Sequence, residues 1–270
     1  MSATDKLFAG SIPDLYDRYL VPLIFEPYAR DTATRLAEAR PRQVLETAAG
    51  TGVLTRALAV RLAPDIRLVA TDLNQPMLDL AAARQPPGRT IEWRQADALA
   101  LPFENRQFDA VACQFGAMFF PDKIQGYREA RRVLKPDGHF IFSVWDRLAE
   151  NEFADVVTGA LQTVFPRDPP RFLARTPHGY HDVAAIREDL DAAGLSSASG
   201  ETLDHTSSAA SARDVAIAYC QGTPLRNEIM ARDAARLEEA TQRSADALAA
   251  RFGDGPIEAR IRAHVITAMR

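Results

Sequence analysis

The sequence predicts an α/β protein built on a mostly parallel sheet, and three observations carry that prediction. The stretch Val44-Leu45-Glu46 reads as the end of a short buried strand. It turns through Gly50 and Gly52 into a segment, 53–62, with apolar residues at helical spacing (Val53, Leu54, Ala57, Leu58, Leu62). Strand-like stretches then recur at 66–72, 90–95, 108–114 and 139–146, with helical patterns between most of them. Finally, the first two strands end in an acid, Glu46 and Asp72, where open α/β sheets bind their ligands.

Composition sets the outer limits. With 270 residues the chain suffices for one large α/β domain, or a core with a small cap. Its 32 basic and 36 acidic residues give a net charge of −4, so nothing electrostatic favours a nucleic-acid polymer as partner. No apolar run is long enough to span a membrane, and the start, Met1 to Lys6, lacks the apolar core of a signal peptide. Cys113 and Cys220 have neither metal-ligand spacing nor a disulfide framework. The expectation is a cytoplasmic protein without a metal.

Ahead of the first strand, the stretch 11–20 places Tyr16, Tyr19 and Leu20 on one helical face. Pro22 and Pro27 are expected to break it into short pieces before a helix over about 28–39. Tyr16 stands out because a phenol both packs and hydrogen-bonds; packing alone is the competing reading.

The glycine turn follows. Gly50 and Gly52 have no side chain to keep a ligand from the backbone, and the helix after them points its first N–H groups at whatever binds. A dinucleotide fingerprint needs three glycines, G-x-G-x-x-G. The same register here gives Ala48, Gly50 and Val53, so two are missing. Glu46 stands at the strand end instead, where a carboxylate suits an ammonium or sulfonium group better than a diphosphate.

Asp72 closes the second strand about 20 residues after the turn, the offset at which an acid meets ribose hydroxyls. Capping the next helix, 75–85, is its alternative role. Leu73 and Met77 would flank the base. The third strand leads into Asp97 and Ala98. Phe108 to Gln114 is the central fourth strand, in which Cys113 reads as a small buried side chain rather than a nucleophile. The loop 115–121 is apolar and aromatic. A helix over 123–134 is expected to end in a turn at Lys135-Pro136-Asp137-Gly138, before a fifth strand in which His139 pairs locally.

In the second half, 151–165 reads as helix, interrupted by Pro166 to Pro170. A helix over 182–193 turns Val183, Ile186, Leu190 and Ala193 inward and stops at Gly194. A sixth strand is expected at about 198–206, and 211–249 is mostly helical with a break at Gly222-Thr223-Pro224. The segment 256–269 alternates, with Ile257, Ala259, Ile261, Ala263 and Val265 inward, and reads as the last strand.

These motifs, in this order, resemble the class I S-adenosylmethionine (SAM)-dependent methyltransferases, in the group that includes ubiquinone/menaquinone-biosynthesis C-methyltransferases. The residues that carry the resemblance are Glu46-x-Ala48-x-Gly50-x-Gly52, Ala70-Thr71-Asp72-Leu73, Gln95-Ala96-Asp97-Ala98-Leu99 and Glu129 to Gly138. Ala48 and Ala49 depart from it where many relatives carry Gly or Cys. The resemblance implies a Rossmann-like, seven-stranded, mostly parallel sheet with helices on both faces, an antiparallel last strand and helical lid insertions. It divides the chain into a helical arm or lid (1–40), a SAM-binding core (41–146), a lid insertion (147–181) and the rest of the core (182–270) with a helical insertion near 211–250. It also implies a cofactor set of Tyr16, Glu46, Ala48, Gly50, Thr51, Gly52, Asp72, Leu73, Met77, Asp97, Ala98, Gln114 and Met118. Within it, Asp97 accepts from the adenine amino group, with a plain turn residue as its alternative reading, the Ala98 N–H meets a ring nitrogen, and Tyr16 donates to the methionine carboxylate.

The implied reaction moves the sulfonium methyl to an oxygen or carbon of a small, largely apolar or aromatic acceptor. Relatives that act on DNA bases carry Asn/Asp-Pro-Pro-Tyr/Phe after the fourth strand, and this chain does not. His178 and His181 are the candidate bases, with surface or capping roles as their alternatives. A nicotinamide-dependent oxidoreductase and a SAM-binding protein without turnover are the competing functions. Neither nucleic acid nor membrane is expected as a partner, and a homodimer stays open.

Overall fold

The computed structural model describes residues 5, 7, 8 and 10–270. Its strands are β1 (Gln43–Glu46), β2 (Arg67–Asp72), β3 (Glu92–Gln95), β4 (Phe108–Gln114), β5 (Leu134–Trp145), β6 (Ser197–Ala209) and β7 (Ile257–Met269). They form one sheet in the order β3-β2-β1-β4-β5-β7-β6. The first five pair in parallel, with Glu46 of β1 beside Ala70 on one flank and Ala112 on the other. The last strand, β7, runs antiparallel to β5, as expected. The Asp146 N–H donates to the Arg262 carbonyl and the Arg270 N–H to the Gly138 carbonyl, so numbers fall along β7 as they rise along β5.

The helices are α1 (Ile12–Leu15), α2 (Glu26–Glu38), α3 (Val53–Arg61), α4 (Gln75–Ala83), α5 (Lys123–Val133), α6 (Glu152–Val164), α7 (Phe172–Arg175), α8 (Val183–Ala192), α9 (Ala212–Cys220), α10 (Leu225–Asp233) and α11 (Leu237–Phe252). No helix of the described residues is long and apolar enough to cross a membrane.

The chain divides into two compact units. One comprises Glu26–Val144, His181–Leu203 and Ala263–Arg270. Its sheet is buried on both faces, as parallel strands flanked by helices must be. Val44, Leu68, Ala70, Ala110, Ala112 and Ile141 join Leu36 of α2 and Leu54 and Leu58 of α3 in one apolar cluster. On β5, Phe140 and Phe142 stack on each other at 4.9 Å, and Tyr127 of α5 lies against both. The other unit comprises Met1–Phe25, Trp145–Tyr180 and Asp204–Arg262. There α11 packs on α9 and α6, and α9 packs on the segment Tyr16–Phe25.

Two expectations need correction. Pro22 and Pro27 do not break the chain, which stays helical from Ile12 to Glu38. Pro22 lies inside a π-type helix, Tyr16–Phe25, whose i→i+5 bonding loosens the register a proline disrupts. Pro27 falls at the junction where that π-type segment passes into α2. The expected turn at 135–138 is also part of β5. Phe108 faces Leu134 and Ala110 faces His139, so two steps along β4 (108 to 110) match five along β5 (134 to 139). The surplus forms a bulge, with Asp137 at φ +61°.

Candidate cofactor site

From the end of β1 the chain makes a turn pinned to both neighbouring strands. The Thr47 N–H donates to the Ala112 carbonyl of β4, and the Ala49 N–H to the Thr71 carbonyl of β2, each at 2.9 Å. Between them Ala48 takes φ +53°, and Gly50 and Gly52 follow at +57° and +81°. The two glycines serve different ends. A Cβ on Gly52 would lie 3.0 Å from the Ala81 Cβ and 3.2 Å from Trp93, so this glycine lets α3 pack closely. A Cβ on Gly50 would meet only Met77, at 3.7 Å, so Gly50 keeps the turn open to a ligand.

Two buried carboxylates flank the turn. Glu46, 1% exposed, accepts from the Thr55 hydroxyl at 2.6 Å. Burial pushes its pKa up to about 8, against the Thr55 bond and the charge of Arg56. Asp72 accepts from the Gly50 N–H through Oδ2 and from the Asn74 N–H through Oδ1, both at 2.8 Å. Burial raises its pKa as well, opposed by those bonds. The Thr51 hydroxyl is buried and has no hydrogen-bond partner among the described residues. An open glycine, an orphaned hydroxyl and two carboxylates suit a polar ligand with hydroxyl and cationic groups, as SAM is.

The other expected residues divide into those near the turn and those elsewhere. Met77 is buried in α4, while Leu73 is 44% exposed beside Asp72. The Leu73 carbonyl accepts from the Gln95 amide at 2.8 Å, which joins the loops after β2 and β3. Asp97 is exposed and its Oδ1 takes the Leu99 N–H at 2.9 Å, a turn-forming bond, with Ala98 half-buried beside it. Gln114 and Met118 are buried at the end of β4 and just after it. Tyr16 belongs to the other unit, stacked on Phe25 with ring centroids 5.3 Å apart and edge-on to Phe8. His178 lies in that unit too, its Nδ1 2.8 Å from the Asp146 carbonyl and its ring beside Trp145. His181 falls in the unit that holds the turn.

Sequence reasoning missed two contributors. Thr55 holds Glu46 from the first turn of α3, and its spacing of nine residues from the acid forms no motif. Gly116 is the second. A Cβ there would lie 2.4 Å from the Ala48 Cβ, so Gly116 supplies the space that the Ala48 methyl occupies.

The sheet and the turn define a nucleotide-cofactor enzyme of the α/β class. A methyltransferase domain family matches residues 45–142. A demethylmenaquinone methyltransferase of Deinococcus radiodurans is 36% identical over 170 residues, 61% of this chain and 69% of that protein. A ubiquinone/menaquinone biosynthesis C-methyltransferase of Hahella chejuensis is 39% identical over 101 residues, 36% of this chain and 41% of the relative. Other such relatives are spanned over 40% to 59% of their length. Among solved structures, the YcgJ protein of Bacillus subtilis shares the fold, with a TM-score of 0.57 at 18% identity over 90% of this chain and 98% of that one. The chain belongs to the class I SAM-dependent methyltransferases, and its cofactor is SAM. The nicotinamide alternative finds no support.

Proposed function

We propose that this methyltransferase acts on a small hydroxyaromatic acceptor of the hydroquinone or phenol type, at carbon or oxygen. One observation carries the reading: the apolar loop after β4 is built directly onto the glycine turn, through the contact of Gly116 with Ala48. The loop brings Phe115, Met118 and Phe120, all nearly buried, and a half-buried Phe119. A flat, apolar acceptor is the chemistry such a wall favours. The quinone-related names of the relatives in Deinococcus and Hahella point the same way.

When bound, SAM supplies an already activated sulfonium methyl. The protein's share is to position, to keep water out and to hold charge. We assign Asp72 to the ribose hydroxyls and Glu46 to the cationic end, with Gly50 giving room between them. The ring carbon or oxygen of a hydroxyaromatic is electron-rich and needs little help from a base. His178 stays the candidate where a base is used: a carbonyl only accepts, so Nδ1 carries the proton and Nε2 is the basic nitrogen of the neutral ring.

We also propose that the arm and the two insertions act together on acceptor access. Their support is that residues up to Phe25, 145–180 and 204–262 gather into one unit. In this reading Tyr16→Phe weakens SAM binding a few-fold without lowering the melting temperature of the cofactor-free protein. Equal affinity would leave Tyr16 a packing role alone. The reading places the enzyme in the cytoplasm, in keeping with two buried free thiols, Cys113 and Cys220. The deciding assay follows S-adenosylhomocysteine release over a panel of hydroquinones, phenols, amines and polar metabolites. Turnover confined to amines would sink the acceptor class, and binding of SAM without turnover on any acceptor would favour a non-catalytic role.

A further inference from the structure

At the other end of the strands from the glycine turn, where β1, β4 and β5 begin, the same unit carries a cavity of about 290 Å³. Residues 39–42, Asp109 and residues 135–139 line it. That volume lies at the small end of ligand pockets. One carboxylate builds the floor. Asp109 takes the Arg42 and Gln43 N–H groups on Oδ2, at 3.0 and 2.8 Å, and the Lys135 ammonium on Oδ1, at 2.8 Å. Both of its oxygens are engaged within the fold, and Lys135 is neutralised there. The two exposed arginines of the rim are not: among the described residues, no ion pair or side-chain hydrogen bond holds Arg40 or Arg42.

Two of the lining residues sit in the left-handed region. Arg40, just past α2, has φ +48°, and Asp137, in the bulge of β5, has φ +61°. Glycine is the residue that takes this conformation without strain after a helix. An arginine kept there in its place indicates a use for its side chain. Offsetting the dipole at the end of α2 is the rival use. We propose that this cavity binds the phosphate group of a small molecule, with Arg40 and Arg42 pairing with its oxygens. A planar guanidinium matches phosphate oxygens through two parallel bonds, and two of them suit a dianion. Asp137 is the opposing charge on the lining and holds the affinity down. The site lies apart from the glycine turn, so its occupant is neither the cofactor nor the methyl acceptor.

The test titrates the full chain with inorganic phosphate and with glycerol 3-phosphate, by calorimetry at constant ionic strength. Both should bind, glycerol 3-phosphate more tightly because the cavity has room beyond the phosphate. Arg40→Gly relieves the positive φ, so it should keep or raise the melting temperature while weakening both ligands about tenfold, the loss of one charged pair. Arg42→Gln keeps the backbone bond to Asp109 and should weaken both ligands by about as much. Asp137→Asn should tighten both, since asparagine tolerates the same φ without the charge. Arg187→Gln, on α8 and outside the cavity, is the control and should stay within about twofold of the parent. Absence of binding by the parent at about 10 mM ligand would overturn the proposal. So would an equal loss from Arg187→Gln, which would mean attraction to net charge alone. A lower melting temperature for Arg40→Gly with affinity intact would assign Arg40 to the helix dipole and overturn it as well.

Discussion

Asp5 and Glu46 lie in different units and are equally buried, at 1% exposure each. Asp5 accepts from Arg175 at 2.7 Å and from the Thr176 hydroxyl at 2.8 Å. Arg175 in turn pairs with Glu228, whose other oxygen takes the N–H groups of Arg171 and Phe172 at the start of α7. Every charge in that cluster is matched by groups the fold supplies. Glu46 instead has one hydroxyl at 2.6 Å and a pKa pushed to about 8. Within two residues of Gly50 there are also an alanine at positive φ and an orphaned threonine hydroxyl. A buried acid fully paired within the fold holds structure together, whereas one held by a hydroxyl and the nearby charge of Arg56, amid local strain, is arranged for a ligand as well.

The contrast can be broken in four places. The largest effect is expected from Gly50→Val, which puts a β-branched residue at φ +57° and a side chain in ligand space. SAM affinity in calorimetry should fall about 100-fold or more, near 2.7 kcal/mol. Near-normal binding by a folded variant would remove the turn from the cofactor site.

Glu46→Gln should change how stability depends on pH. Burial raises this carboxyl from 4.5 to about 8, so the folded chain keeps a proton that the unfolded chain has lost. Stability from this group is therefore fully present below 4.5 and is lost as pH rises toward 8, by at most about 1.4 kcal/mol per pH unit. The variant keeps an acceptor for Thr55 and has no such slope. Its melting temperature should exceed the parent's at pH 8 while its SAM affinity falls; parallel melting profiles would contradict the buried-acid account.

Arg175→Met should do the reverse. It leaves Asp5 short of its cation and should cost about 1–3 kcal/mol in denaturant titrations, with SAM affinity unchanged. A matching loss of affinity would mean that the cluster serves the cofactor too. The smallest effect sits in a coupling. Gly116→Ala should destabilise through its clashes with the Ala48 methyl and the Cys113 sulfur, and adding Ala48→Gly should restore the part due to Ala48, a coupling of about 1 kcal/mol. Additive effects would show that the two residues do not share one space.

The core was legible because its signals are local. A strand, a glycine turn and a helix follow one another within twenty residues of Gln43, and β4 occupies the expected stretch 108–114. The prolines misled because Pro22 was weighed against an α-helix, and no local pattern announces a π register. The stretch 135–138 carries turn residues; only its pairing with β4 makes it a bulge. The acids and glycines of the site could be read, whereas Gly116 gained meaning only when folding brought it to Ala48.

The contact between Ala48 and Gly116 also gives substitution a direction. Glycine at 48 is admissible at once, since it removes a methyl from a residue at φ +53°. Alanine at 116 is not, because its methyl would come within 2.4 Å of one already there. The route to an alanine at 116 therefore begins with a glycine at 48 and still needs room at Cys113, whose sulfur would lie 2.8 Å from the same methyl. Tolerance at 116 is conditional on two neighbours, so a scan of single substitutions would score it as intolerant without showing that the residue at 48 supplies one of the two obstacles.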